Sequence, residues 1–590
     1  MVNNISGEGL SQSSKEVKNG SWNLDDLEFC GPVPPHTPYG VSFFLPEWDD
    51  LVQLMEENYE VINKVKYGYT RVFIHKFIKQ LNKKILNSLG LESPYTCFIF
   101  TSSRVIQDCL EYSERHAETP EQLESVKAAR SDKYRVFPTP DSPFKEILVD
   151  YVIFDKCILP LVLGFWQITG ENVSSRFAAH CLRMSSNEDE NKDTIKSEAK
   201  FSKEMRKIDP SKAGLEYEVY LEECLGASQA IENETFYKET IKTRIATGLA
   251  AGETECIPQH SDVYLFPTGM SSIYNTLRLA LNSFEPAKSV CFGFPYKDTK
   301  KVLSQFGPGC VFYGVGESED LGQLEKLLEK EKILMLLCEF PSNPLLKSPD
   351  LHALRKLADL HGFLLVIDDT LGNFINLQGM LIADIIVTSL TKIFSGFSDL
   401  LAGSITLSPR GKFYQTLKAK MAVVCEDYFW CEDAQVLEKN SRTVVERASK
   451  ANRNAELLAE FLTTQPLVKQ VHYPKYTTTE QYNKFKKPEG GYGSLLSIEF
   501  HNNAKAVQFY DFLKVVKGVS LGTNFTLVLP FVILAHYKEL DVVSSEYGVA
   551  SHLVRVAVGL EDIDVLKAVF QEAFNFAESK VYPEQVIAMK

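Results

Sequence analysis

The chain has 590 residues, and 63 Lys plus Arg against 77 Asp plus Glu leave a net charge of −14 at pH 7. With 44% hydrophobic and 24% charged residues it is an ordinary globular composition, which excludes collagen-like, wholly disordered and disulfide-scaffold classes. An acidic chain does not work by blanketing phosphate backbone with positive charge, so nucleic acid is not an expected partner.

In chain order, residues 1–25 are polar and read as a disordered tail. Residues 26–183 form an N-terminal arm and extension. Gly31 to Trp48 is Pro-rich and extended, Phe73 to Leu89 has helical periodicity, and Thr96 to Phe100 is strand-like. Ile158 to Trp166 is apolar but far short of the roughly 20 residues that span a bilayer, and Leu527 to Ala535 is short and holds Pro530. Both read as core, so no membrane partner is expected. Residues 184–213 are dense in both signs of charge and read as a solvated linker or insertion. The N-terminus lacks an apolar export segment and the C-terminus, VIAMK, is no peroxisomal address, which predicts a cytoplasmic setting with the nucleus left open. The 12 cysteines include no C-x-x-C pair, so no metal site is expected and the thiols read as reduced.

From Asp262 to Ser408 short β-branched runs alternate with amphipathic stretches: VYLF, SVCFGF, ILMLLCEF, FLLVIDD, ADIIVTSL and GSITLS. This alternation is the signature of βαβ units on a parallel sheet. Asp350 starts and Gly362 ends one of the intervening helices. Residues 214–435 read as a cofactor-binding domain. Residues 436–590 mix SLLSIEF and HLVRVAVG with a terminal helix and read as a smaller α+β domain.

Ligands collect at the carboxyl ends of strands in an open parallel sheet. After VYLF comes Thr268-Gly269-Met270-Ser271-Ser272, a turn whose free N–H groups suit a phosphate. The other strand ends carry Tyr296, then Glu339 to Pro344 with Asn343, then Asp368-Asp369, then Ser389-Leu390-Thr391-Lys392. Singly, each is as readily a cap, a turn or a buried side chain. Together they supply an amine, a carboxylate, a ring face and a phosphate turn, the set that pyridoxal 5′-phosphate requires.

The same ordered set resembles the trans-sulfuration (Cys/Met metabolism) family of pyridoxal-phosphate enzymes, closest to the fungal cystathionine γ-synthase type. Gly269-Met270, Tyr296-x-x-Thr299, Glu339 to Pro344, Asp368-Asp369-Thr370, Ser389 to Lys392 and the late Arg555 match its motifs in order over about residues 215–580. Gly68-Tyr69-Thr70-Arg71-Val72-Phe73-Ile74-His75 is similar to a segment of the long fungal N-terminal region. The resemblance implies an aspartate-aminotransferase-like (fold type I) α/β large domain, a small C-terminal α+β domain and a long N-terminal extension.

It further implies that Lys392 forms the Schiff base with the cofactor and shuttles protons, that Asp368 pairs with the pyridine nitrogen, and that Tyr296 stacks on the ring. Gly269, Met270, Ser389 and Thr391 would hold the phosphate. Arg555 would clamp the substrate carboxylate, with Asn343 and Ser520 on the substrate side. Tyr69 and Arg71 would reach the site of a neighbouring subunit, which implies a homodimer or homotetramer sharing its active sites. The sequence departs from the family at Asp369, at Gly396-Phe397-Ser398-Asp399 and at Ala535-His536. The implied reaction on small amino-acid substrates is γ-replacement on an O-acetyl- or O-succinylhomoserine by cysteine. A sulfide-using homocysteine synthase, a cystathionine lyase and an inactive scaffold paralogue are the alternatives.

Overall fold

The computed structural model describes residues 22–65, 67–69, 73–136, 146–185, 233–251 and 257–580. Arg71, most of the predicted tail and nearly all of the predicted charged linker lie outside the described residues. Three β-sheets organise the described chain.

The first sheet holds β1 (Tyr95–Phe100), β2 (Arg130–Val136) and β3 (Ile147–Asp155), antiparallel in the order β1-β3-β2. Side chains alternate across a strand. Cys97 and Ile99 accordingly pack with Ile78, Leu81 and Ile85 of the helix Lys76–Ser88, while Phe98 and Phe100 face the opposite core. The sequence reading placed one strand here, where the structure has three. β2 is RSDKYRV and largely exposed, so it carries no apolar alternation to read.

The second sheet holds β4 (Val263–Phe266), β5 (Ser289–Phe292), β6 (Cys310–Tyr313), β7 (Met335–Glu339), β8 (Leu364–Asp368), β9 (Ile385–Ser389) and β10 (Gly403–Leu407). Its order is β4-β10-β9-β8-β7-β5-β6. The pairs from β9 through β6 are parallel, and β10 runs opposite to both its neighbours. The sheet is therefore mostly parallel, as expected. The helix Leu351–His361 begins with the Asp350 carboxylate accepting from Ala353 N at 3.0 Å and ends at Gly362, whose φ of 77° suits glycine.

The third sheet holds β11 (Val468–His472), β12 (Leu495–Phe500), β13 (Val516–Lys517), β14 (Leu527–Pro530) and β15 (Val554–Ala557) in the order β11-β12-β15-β14-β13. The apolar run at Leu527 is split by its proline: β14 ends at Pro530 and a short helix, Phe531–His536, follows. Among the described residues no helix is long and apolar enough to cross a membrane.

The first two sheets share one core. Phe98, Phe100, Phe165 and Trp166 pack with Phe266, Met270, Tyr274 and Val387. Phe165 meets Tyr274 edge-on at 6.3 Å. Phe165→Ala is expected to lower the unfolding free energy by about 3–5 kcal/mol, read by denaturant titration, because a fully buried ring leaves a cavity.

Candidate active site

The predicted strand-end residues converge because the strands are parallel. The β7–β8 register sets Glu339 opposite Asp368, and the β8–β9 register sets Asp368 opposite Val387, two residues before Ser389. Asp368 accepts from Thr370 N at 3.0 Å and from Thr370 Oγ1 at 2.6 Å, and Thr370 Oγ1 in turn accepts from Ser389 N at 2.9 Å. Burial pushes the Asp368 carboxyl up. Glu339 accepts backbone N–H groups from Tyr296 at 2.5 Å and Asn343 at 3.0 Å. Burial and then the Asp368 charge push Glu339 up to about 8. A cationic ring nitrogen beside Asp368 would relieve that crowding of carboxyl groups.

The phosphate turn sits at the start of the helix Gly269–Ser283, where the Thr268 hydroxyl accepts from Ser271 N at 2.9 Å. A Cβ on Gly269 would lie 2.7 Å from Ser389 Cβ, so only glycine lets this turn close on the β9 end. The buried Ser389 hydroxyl has no hydrogen-bond partner among the described residues. An orphaned hydroxyl beside free helix-start N–H groups fits a phosphate. Met270 is buried in the shared core. The Thr391 hydroxyl is turned to the loop closure, donating to Ala402 O at 3.3 Å and accepting from Ala402 N at 2.9 Å.

Lys392 Nζ donates to Ser520 Oγ at 3.1 Å and lies 4.6 Å from the centroid of the Tyr69 ring. Ser520 has a φ of 141°, a conformation that L-residues rarely adopt and that costs of order 1–3 kcal/mol. Its carbonyl accepts from Arg555 Nη2 at 2.6 Å, and Arg555 Nη1 donates to Asn343 Oδ1 at 3.2 Å. The Arg555 guanidinium lies 4.7 Å over the Phe531 ring, and burial lowers it to about 10.

Three further groups support the site: Glu171 and Arg447 escaped sequence reading, and Thr370 was read only as part of a motif. Glu171, fully buried, accepts from Ser271 Oγ at 3.0 Å and from Asn275 Nδ2, and Arg104 Nη2 lies 3.6 Å away. It thereby grips the first turn of the phosphate helix from the N-terminal extension. Arg447 donates to Ile393 O at 3.2 Å and Phe394 O at 3.0 Å and so clamps the loop after Lys392. Thr370 links Asp368 to Ser389, and its place beside Asp368-Asp369 was the one available signal. Asp369 turns away and accepts from Phe374 N at 3.0 Å. A cavity of about 250 Å³ borders the turn at Thr268 and is lined also by Asp150, Arg176 and Trp430 among others and not by Lys392.

Residues 255–575 match the family described as Cys/Met metabolism PLP-dependent enzyme, and residues 77–174 match the fungal trans-sulfuration enzyme N-terminal domain. The chain is 36% identical to the cystathionine gamma-synthase-like enzyme iboG1 of Amanita muscaria, over 93% of this chain and 98% of that one. It is 34% identical to a cystathionine gamma-synthase of Neurospora crassa, over 94% and 99% respectively. A crystal structure of cystathionine gamma synthase from Xanthomonas oryzae pv. oryzae in complex with cystathionine shares the fold. Its TM-score is 0.50 at 21% identity, over 58% of this chain and 87% of that one.

Two outcomes are expected. Ser389→Ala leaves the cofactor-free protein as stable as before, since it removes an unpaired hydroxyl, yet weakens pyridoxal phosphate binding about tenfold in an absorbance titration. Glu339, raised in the fold from 4.5 to about 8, keeps a proton that the unfolded chain has lost, so cofactor-free stability falls as pH rises between those values. Glu339→Gln flattens that fall, read by denaturant titration across pH.

Proposed function

This chain belongs to the family of Cys/Met metabolism PLP-dependent enzymes, and from that premise we propose that it catalyses γ-replacement on an O-acylhomoserine with cysteine, giving cystathionine. It is a trans-sulfuration enzyme whose cofactor is pyridoxal phosphate. The observation that carries the finer reading is the convergence on Ser520, whose hydroxyl holds Lys392 Nζ at 3.1 Å while its carbonyl holds Arg555 at 2.6 Å. An α-amino acid whose carboxylate rests on Arg555 presents its α-carbon toward that amine.

The bound cofactor supplies an electron sink for negative charge at the substrate α-carbon. Everything else falls to side chains. Arg555 holds the α-carboxylate with two parallel N–H donors, and Asn343 fixes the plane of that fork. Lys392 takes the proton from the α-carbon and moves protons at the β-carbon, with Ser520 and Tyr69 holding its Nζ in place. Asp368 would pair with the ring nitrogen, Tyr296 would cover the ring, and Gly269, Met270 and Ser389 would hold the phosphate. The Cγ–O bond breaks, the acyl group leaves as a carboxylate, and the cysteine thiolate forms the new Cγ–S bond.

The test is a competition in one tube. Protein loaded with pyridoxal phosphate receives O-acetyl- or O-succinylhomoserine with both cysteine and sulfide, and products are read by mass spectrometry. Cystathionine as main product is expected; homocysteine as main product overturns the choice of donor. Lys392→Ala loses the visible absorbance of bound cofactor and loses turnover. Arg555→Lys keeps charge but not the fork, so KM for the homoserine ester rises about tenfold with a smaller change in kcat. Because burial lowers Arg555 to about 10, KM in the wild type stays level with pH below that value and rises as the guanidinium loses its proton above it.

A further inference from the structure

Gly170 and Glu171, in the N-terminal extension, touch the turn to which the cofactor phosphate is assigned. They follow the apolar helix Leu159–Thr169, whose Phe165 and Trp166 pack in one core with Met270 and Tyr274 of the phosphate helix. Gly170 ends that helix in the left-handed region, at a φ of 69°, and its N–H donates to Trp166 O at 3.2 Å. The reversal lays the backbone against the phosphate turn. A Cβ on Gly170 would lie 2.9 Å from Met270 Cβ and 3.0 Å from Ser271 N, and closer still to Thr268 Oγ1.

Two hydroxyls of the turn are committed to the extension. Thr268 Oγ1 donates to Gly170 O at 2.9 Å while it accepts from Ser271 N at 2.9 Å. Ser271 Oγ donates to Glu171 Oε1 at 3.0 Å, and Asn275 Nδ2 donates to the same oxygen. A hydroxyl has one proton to give, so the turn meets a phosphate with backbone N–H groups rather than with these two hydroxyls.

The fully buried Glu171 has the wrong sign for an anion site, because a carboxylate at a helix start competes with a phosphate for the same positive helix end. Its charge is faced instead by Arg104 of the extension, whose Nη2 lies 3.6 Å from Glu171 Oε2 and whose Nε lies 3.3 Å from Glu426 Oε2. Arg278 Nη1 donates to Asn275 Oδ1 at 2.8 Å and so fixes the amide that meets Glu171 from the other side. What Glu171 offers the phosphate turn is an acceptor oxygen held at one point.

We propose that Glu171 is a positioning residue of the cofactor site. Through Ser271 it fixes the first turn of the helix Gly269–Ser283 so that its N–H groups meet the phosphate, and the extension thereby sets how tightly pyridoxal phosphate is held. The inference rests on the placing of the phosphate at Gly269, Met270 and Ser389.

The test uses the full chain loaded with pyridoxal phosphate. Loaded protein is diluted, the loss of the visible absorbance of bound cofactor gives its release rate, and the phosphorus NMR resonance of the bound phosphate is read in parallel. Glu171→Ala is expected to speed release about tenfold and to shift that resonance, with kcat at saturating cofactor within about twofold of the wild type. Glu171→Asp keeps the charge but withdraws the oxygen; it behaves like Glu171→Ala and replaces it where the alanine chain does not fold. Glu171→Gln keeps the acceptor oxygen and drops the charge, and it releases cofactor as slowly as the wild type. Ser271→Ala speeds release about as much as Glu171→Ala, and the two together do no more than either alone. A Glu171→Gln chain as leaky as Glu171→Ala overturns the proposal, and so do losses that multiply in the double variant. Ser389→Ala separates the proposal from its premise. Release hastened by Ser389→Ala but by no Glu171 variant overturns the role of Glu171 alone, and release hastened by none of them overturns the placing of the phosphate as well.

Discussion

The pairing of β7 with β8 sets two carboxyl groups side by side, Glu339 buried and Asp368 half-buried. Burial opposes ionising either, and the Asp368 charge further opposes ionising Glu339, so both carboxyl groups are pushed up. The surroundings answer with directed donors: Tyr296 and Asn343 give backbone N–H groups to Glu339, and Thr370 gives its N–H and hydroxyl to Asp368. Satisfying the carboxyl pair thereby places the Tyr296 and Asn343 loops. A protonated ring nitrogen would supply positive charge to that pair.

The lysine side of the site is assembled from remote parts of the chain. Ser520 holds Lys392 from 128 residues away, and Arg555 reaches the same serine from β15. Arg447 braces the following loop against a glycine, Gly396, whose Cβ would fall 2.1 Å from the guanidinium. The N-terminal extension takes part through contacts that include Glu171 on the first turn of the helix Gly269–Ser283, Val41 N donating to Ser398 O and Leu45 N donating to Lys517 O. The extension is therefore continuous with the catalytic centre in both packing and hydrogen bonding.

Local pattern made much of the large sheet legible. VYLF, LLVID and IIVTS read as strands because β-branched and apolar side chains fill positions buried on both faces, and Asp350 and Gly362 marked helix ends because a cap and a left-handed residue are local needs. The exposed β2 carried no such pattern, and neither did the break of the Leu527 run into strand and helix. Residue types at strand ends pointed to the ligand, since chemistry follows from side-chain identity and chain order.

Which of those side chains meet was left to packing. Thr391 turns to Ala402 and Asp369 to Phe374, although each stands beside a residue of the centre. Glu171 finds Ser271 across 100 positions, and Tyr69 comes to rest on Lys392. Periodicity and capping act over a few residues and are written in neighbouring positions. Contacts between distant segments arise only once the three sheets have closed on shared cores, because the closing of those cores sets where each loop ends and which way its side chains point.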